Sequence, residues 1–254
     1  MTRLTLWPVS LCLLLLVGVC VAHGAEESFR ADDSGFTLTV TGIEGVEVIA
    51  RAVSGAARGA AFVNQALIGN WIEGRHGRSE SLIQDSFQNN RGIVNVNQAS
   101  GSLNNQANVR VLALAEVGSL VQDLGIWGST RQIDNTLISS GGEREDRIAN
   151  SFGGTVGIVG ANQSSGNLNQ QANVLVVGIG VAFGPEAVTL GDATLREISA
   201  NNTVKQEGEA GRRAEIITDS FRGFRGIAQV SQSAGDLNTM GNFVGLSLTV
   251  VDVP

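Results

Sequence analysis

The chain has 254 residues, with 17 Lys and Arg against 24 Asp and Glu for a formal net charge of −7, 33 glycines and no tyrosine. An acidic chain without clustered positive charge is a poor partner for nucleic acid, because phosphate binding needs concentrated Lys and Arg. Both cysteines, Cys12 and Cys20, fall within the first twenty residues, so the remainder has neither disulfides nor thiolate metal ligands.

Residues 1–24 read as an export signal. Arg3 supplies the positive start, Leu4 to Val21 is apolar, and the small residues Ala22 and Gly24 offer cleavage shortly before Glu26. Pro8 and the acidic segment that follows argue against a retained anchor, and Val19 is not the small residue a lipidation site needs before Cys20. The expected location is therefore secreted, extracellular or at the cell surface. Loss of Arg3 leaves 16 positive against 24 negative groups, or −8.

Residues 25–82 come next, read as an N-terminal cap holding a partial repeat, because Val46 to Val53 resembles Val109 to Ala115. The Ala-rich stretch from Val48 to Val63 competes as a short helix. Beyond it, one segment occurs three times, starting at Ser86, Ser151 and Ser220. Its shared columns include Phe87, Phe152 and Phe221; Gln98, Gln163 and Gln232; Gly101, Gly166 and Gly235; and Leu103, Leu168 and Leu237. Three further columns are Asn104, Asn169 and Asn238; Asn108, Asn173 and Asn242; and Gly92, Gly157 and Gly226. The first two copies are offset by 65 residues and the last two by 69. The 65-residue offset also carries Arg131 onto Arg196, which would place the four extra residues within Asn201 to Arg213. The units are thus residues 83–147, residues 148–216, and a third motif with its C-terminal strand in residues 217–254. A unit of this size cannot bury its apolar face alone and must stack on its neighbours.

Each motif reads as strand, turn, strand. Gly92 to Gln98 alternates β-branched and polar residues, Gly101 sits among small residues suited to a reversal, and Asn108 to Leu114 resumes an apolar strand. Periodicity leaves open whether the two strands pair as a hairpin or face each other as an arch. The amide columns favour the arch, because amides stacked about 4.8 Å apart can hydrogen-bond up a pile of layers. Two charge columns agree with that order: Asp85, Asn150 and Asp219, and Arg91, Val156 and Arg225, are neutral in the middle copy. Like charges in adjacent layers would cost roughly 1 kcal/mol even in water. The Phe and Leu columns are the expected core, the glycines the turns, and the Gln and Asn columns the structural ladder. The expected fold is all-β: three strand-turn-strand units stacked as a β-solenoid-like or cross-β core.

Between the motifs, Val121 to Ile133 and Val188 to Ile198 are apolar enough to add strands, whereas Gly141 to Arg147 and Glu207 to Arg213 read as solvated turns. Candidate chemistry is sparse. Apart from His23 the only histidine is His76, in a glycine-flanked loop without a nucleophile nearby, so no catalytic or metal-binding residue is expected and no cofactor is implied. Asp32 and Asp33, and the Glu143, Glu145 and Asp146 cluster, match no calcium-binding pattern. Asn162 and Asn201 head glycosylation-like triplets of low specificity.

The segment from Gly92 to Asn108, and its counterpart from Gly157 to Asn173, resembles the repeats of the Fap functional amyloids of Gram-negative bacteria. Three repeats with dissimilar linkers behind an export signal match that organisation. The resemblance implies a secreted fibril subunit, minor component or nucleator, passed through an outer-membrane export pore and self-associating into biofilm fibres. Two departures stand out: the C-terminal cysteine pair of that family is missing, and the strands after each motif are unusually apolar. The alternative is a monomeric β-solenoid adhesin or carbohydrate-binding protein whose ligand would be a surface polysaccharide. A β-helical polysaccharide-cleaving enzyme and an outer-membrane barrel find less support, the latter because evenly spaced ten-residue strands with aromatic girdles are absent.

Overall fold

The computed structural model of the protein describes residues 18–21, 26–32, 35–41, 46–53, 56–74, 77–117, 120–139, 141–183, 190–207 and 211–252. Most of the segment read as an export signal, the cleavage site expected there and both histidines lie outside them. Every regular element among the described residues is a strand. β1 (Gly18–Val21) is followed by β2 (Glu26–Asp32), β3 (Gly35–Thr41) and β4 (Val46–Val53). A first layer then runs through β5 (Ala56–Ile68), β6 (Trp71–Gly74), β7 (Arg78–Gln84), β8 (Arg91–Ala99) and β9 (Asn105–Val117). The second repeats it as β10 (Leu120–Ile133), β11 (Thr136–Ser139), β12 (Glu143–Ala149), β13 (Val156–Ser164) and β14 (Gln170–Phe183). The third is β15 (Leu190–Ala200), β16 (Thr203–Gln206), β17 (Arg213–Thr218), β18 (Arg225–Ser233) and β19 (Thr239–Asp252).

Equivalent strands of the three layers pair in parallel and in register, giving five sheets that each run through the stack from first layer to third. This is the β-solenoid-like architecture expected. Consecutive strands of one motif, β8 and β9, belong to different sheets, so the chain turns as an arch and not as a hairpin. The layer corners use left-handed residues. Gly69, Asp134 and Asn201 turn at φ 65, 56 and 54°, and Phe87, Phe152 and Phe221 at 57, 60 and 59°. Left-handed Phe and Leu are unusual and costly. Stacking offsets that cost: the Phe87 and Phe152 rings lie 5.2 Å apart and the Phe152 and Phe221 rings 4.9 Å apart, nearly parallel.

The core lies between the sheets and is deepest in the middle layer. Val63, Val109, Ile126 and Val174 pack between the β5 and β9 sheets, Ile148, Phe152 and Val159 form a second cluster, and Leu67, Leu137 and Leu168 a third.

Five sequence expectations change, the first being that Gly141 to Arg147 is a solvated turn: Glu143 to Arg147 lies in strand β12, with Arg144 and Asp146 buried. Residues 56–82 are not a cap: β5, β6 and β7 stack in register beneath β10, β11 and β12 as part of the first layer. Val46 to Val53 is not a partial unit of the stack, because β4 runs antiparallel on β5, and β2 and β3 continue the antiparallel meander. The Ala-rich segment is strand, not helix. Arg131 stacks on Ile198, and Arg196 on Ser129, so the offset is already 67 before β15 ends. A two-residue shift keeps every side chain on its face, which is why matching identities at 65 looked equally good.

Candidate functional site

The polar columns are built by the register. Gln163 Nε2 donates to Gln98 Oε1 at 2.9 Å and Gln232 Nε2 to Gln163 Oε1 at 2.8 Å. Asn173 Nδ2 donates to Asn108 Oδ1 at 3.0 Å and Asn242 Nδ2 to Asn173 Oδ1 at 2.8 Å. The third expected column works differently: Asn104 Oδ1 accepts the backbone N–H of Asn169 at 2.9 Å, and Asn169 Oδ1 that of Asn238 at 2.8 Å. Its amide nitrogens turn to the arch, Asn104 Nδ2 donating to Gly166 O at 2.7 Å and Asn169 Nδ2 to Gly235 O at 2.8 Å. Each of these Asn residues thus ties two layers through the turn backbone. Gln163, Asn169 and Asn173 are fully buried, where an unpaired amide would be costly.

The turn glycines are needed for proximity, and the left-handed bend falls on the Leu residues. Leu103, Leu168 and Leu237 have φ of 52, 56 and 56°. A Cβ on Gly101 would lie 1.7 Å from Gly166 O, and one on Gly166 1.6 Å from Gly235 O, so only glycine lets one arch sit on the next. A Cβ on Gly235 would approach only the Asn238 side chain, whose Nδ2 lies 2.5 Å away, since no fourth layer follows.

Apart from Arg110 of the first layer, the buried charges inside the arch lie in the upper layers. Arg144 and Arg213 share a column over Ser79 and both bind Asp236. Asp146 stacks between Ser81 and Glu215. Burial pushes its carboxyl up to about 6, partly offset by hydrogen bonds from Ser81, Ser165 and Ser233. Arg110 is buried as well, without a carboxylate partner among the described residues; burial lowers it to about 10, and its Nη1 donates to Val109 O and Asn173 O. Glu143 and Glu145 sit three and one residues from Asp146 and do not share its buried face, so the sequence cluster is not a site. Asn162 is buried in the interlayer network and donates to Asn97 Oδ1 at 3.0 Å, which removes it as a glycosylation acceptor. Among the described residues no group of three His, Cys, Asp or Glu could hold a metal ion.

Both ends of the stack are incomplete. Of the thirteen large hydrophobic residues exposed among the described residues, only Trp127 and Val156 belong to the middle layer. The same column passes from buried to bare on reaching an end: Ile148 is 0% exposed and Ile217 above it 51%, Leu137 0% and Val204 53%, Leu168 0% and Leu103 below it 48%. Among the described residues, the third-layer strands β15 to β19 each keep a free edge, and a cleft of about 270 Å³ opens between β15 and β19 around Val63, Met240 and Phe243. On the first layer, β6, β7 and β8 have free edges, while β4 covers β5 and β1 covers β9.

A strand stack with amide columns and bare ends is what a cross-β assembly needs, and the sequence profile of the functional amyloid protein FapB/FapC family matches residues 44–180 and 128–249. The chain belongs to this family. One relative of it, the functional amyloid subunit FapC of Pseudomonas aeruginosa, is 28% identical over 134 residues, which is 52% of this chain and 38% of FapC. The chain therefore matches well under two thirds of that relative's length. No solved structure matches it.

In this FapB/FapC family member, three polar columns lie outside the residues singled out from sequence. Asn70, Asn135 and Asn202 form a complete ladder: Asn70 Nδ2 donates to Asn135 Oδ1 at 2.8 Å and Asn135 Nδ2 to Asn202 Oδ1 at 2.9 Å. Asn162 with Asn97, and Gln106 with Gln171 at 2.6 Å, add partial ones. The 65-residue offset relates Asn70 to Asn135, Asn97 to Asn162 and Gln106 to Gln171, whereas Asn135 and Asn202 are 67 residues apart.

Proposed function

We propose that this chain is a non-enzymatic structural subunit of a secreted functional-amyloid fibre, and that copies join through the bare ends of their layer stacks. The observation that carries the reading is the change of single columns from buried in the middle layer to exposed at the ends, together with free strand edges on both faces. Unpaired parallel edges and apolar rows template the addition of another chain. The amide columns supply a repeat that a further layer can continue. The family resemblance supports export through an outer-membrane pore and deposition in a biofilm matrix as part of this reading, with the chain serving as major subunit, minor component or nucleator.

Protein diluted from denaturant should form thioflavin-binding fibres with reflections near 4.8 and about 10 Å. Soluble, protease-sensitive monomer at every concentration would refute the proposal.

One observation favours a second reading, a monomeric solenoid adhesin: the β2–β4 meander covers the first-layer edge of β5 and acts there as an end cap. Sedimentation at a single monomer mass over a wide concentration range would select it.

A further inference from the structure

We propose, building on the fibre reading, that the third layer of one copy receives the first layer of the next in the same register that relates layers within a copy, with Lys205 pairing to Glu73 of the next copy. Both residues lie in the sheet β6, β11, β16, where Ile138 stacks on Glu73 and Lys205 stacks on Ile138. Within one molecule a neutral layer separates the two charges. Each is exposed, on a strand with a free edge. Continuing the stack by one layer would place the only lysine of the chain directly against a carboxylate.

Glycine placement gives the same register independently. Gly101 and Gly166 must be glycine because the arch above comes within bonding distance of a Cβ there, yet Gly235 has no arch above it and is glycine too. A copy docked in this register sets its Gly101 carbonyl over Gly235 and supplies the missing neighbour. Inside the arch, Arg213 and Glu215 would meet Ser79 and Ser81 of the next copy, hydroxyls in place of like charges, since these are the first-layer members of their columns.

The rim opposes docking. Arg225 would meet Arg91 of the next copy, and Asp219 would meet its Asp85, although Asp219 already holds Arg222. The first-layer strand β5 is covered by β4, and β9 by β1 only until the export signal that contains β1 is removed, so contact begins over β6, β7 and β8, where Glu73 lies.

The test is seeded elongation at low salt with four full-length chains: wild type, Lys205→Glu, Glu73→Lys and the double variant, each grown on its own seeds. Each single substitution turns an attraction into a like-charge contact and should slow elongation about tenfold, an effect that shrinks as salt is added. The double variant restores opposite charges with net charge unchanged and should return to within about twofold of wild type. Soluble variants should unfold at the same denaturant concentration, because Ile138 separates the two positions within a molecule. A double variant as slow as either single, or singles that grow like wild type, overturns the junction while wild-type fibres leave the fibre reading standing. A wild-type chain that forms no fibres overturns both.

Discussion

A glutamine in the middle layer and its equivalent at the end should differ in one molecule and agree in a fibre. Gln163 is bonded to Gln98 below and Gln232 above, whereas Gln232 has a ladder partner on one side only. Gln163→Leu removes two amide bonds worth roughly 0.5–1.5 kcal/mol each and leaves Gln98 Oε1 and Gln232 Nε2 without their partner, for a loss of about 2–4 kcal/mol. Against a total stability of about 5–15 kcal/mol, that is a large effect. Gln232→Leu removes one bond, or about 1 kcal/mol. In a fibre, every Gln232 gains a neighbour above, so the same substitution should cost about 1 kcal/mol more per added copy and raise the critical concentration roughly fivefold. Urea unfolding of monomer and sedimentation of residual soluble protein measure the two effects. Equal unfolding losses for the two variants would refute the ladder argument, and an unchanged critical concentration for Gln232→Leu would refute its extension between copies.

Gly166→Ala drives a Cβ into the Gly235 carbonyl and should cost at least about 3 kcal/mol, while Gly235→Ala should fold almost normally and yet block elongation from the third-layer end. Asp146 provides a pH test. Its carboxyl is raised from 3.8 to about 6 in the folded chain, so the folded state holds the proton more tightly and this group's penalty, on the order of 3 kcal/mol, is absent below about pH 4 and complete above about pH 6. Asp146→Asn should therefore stabilise at pH 7.5 and change little at pH 3.5, as read by denaturant midpoints at the two values. Arg225→Val copies the neutral middle layer and should speed low-salt elongation several-fold with no gain at high salt. Deleting residues 26–53, which carry the strands on β5, should shorten the lag before fibres appear; a longer lag would show that the meander assists assembly.

The stacked architecture was legible because a parallel, in-register pile repeats residue types at a fixed offset, so Gln98, Gln163 and Gln232 announce a column before any coordinate is known. The same logic suggested strands around Ile133 and Ile198 and expected the Phe and Leu columns in the core, where Phe152 and Leu168 are buried but the first-layer Phe87 and Leu103 are 38% and 48% exposed. It failed where the offset drifts: Asn70, Asn135 and Asn202 are spaced by 65 and then 67 residues, and their neighbours Trp71, Thr136 and Thr203 barely resemble one another. The role of Val46 to Val53 was hidden for another reason. An apolar alternating strand carries no record of whether its partner runs parallel or antiparallel, and β4 takes the antiparallel edge of β5. Left-handed Leu103 and Phe87 were equally unreadable, since their conformation is imposed by stacking and opposes their own preference.

Mass per length of unstained fibres, measured by scanning transmission electron microscopy, tests end-to-end stacking most directly. Three parallel layers about 4.8 Å apart predict one chain for roughly every 14 Å of each protofilament. One chain per 4.8 Å would mean that each copy contributes a single strand layer, and would contradict the three-layer subunit.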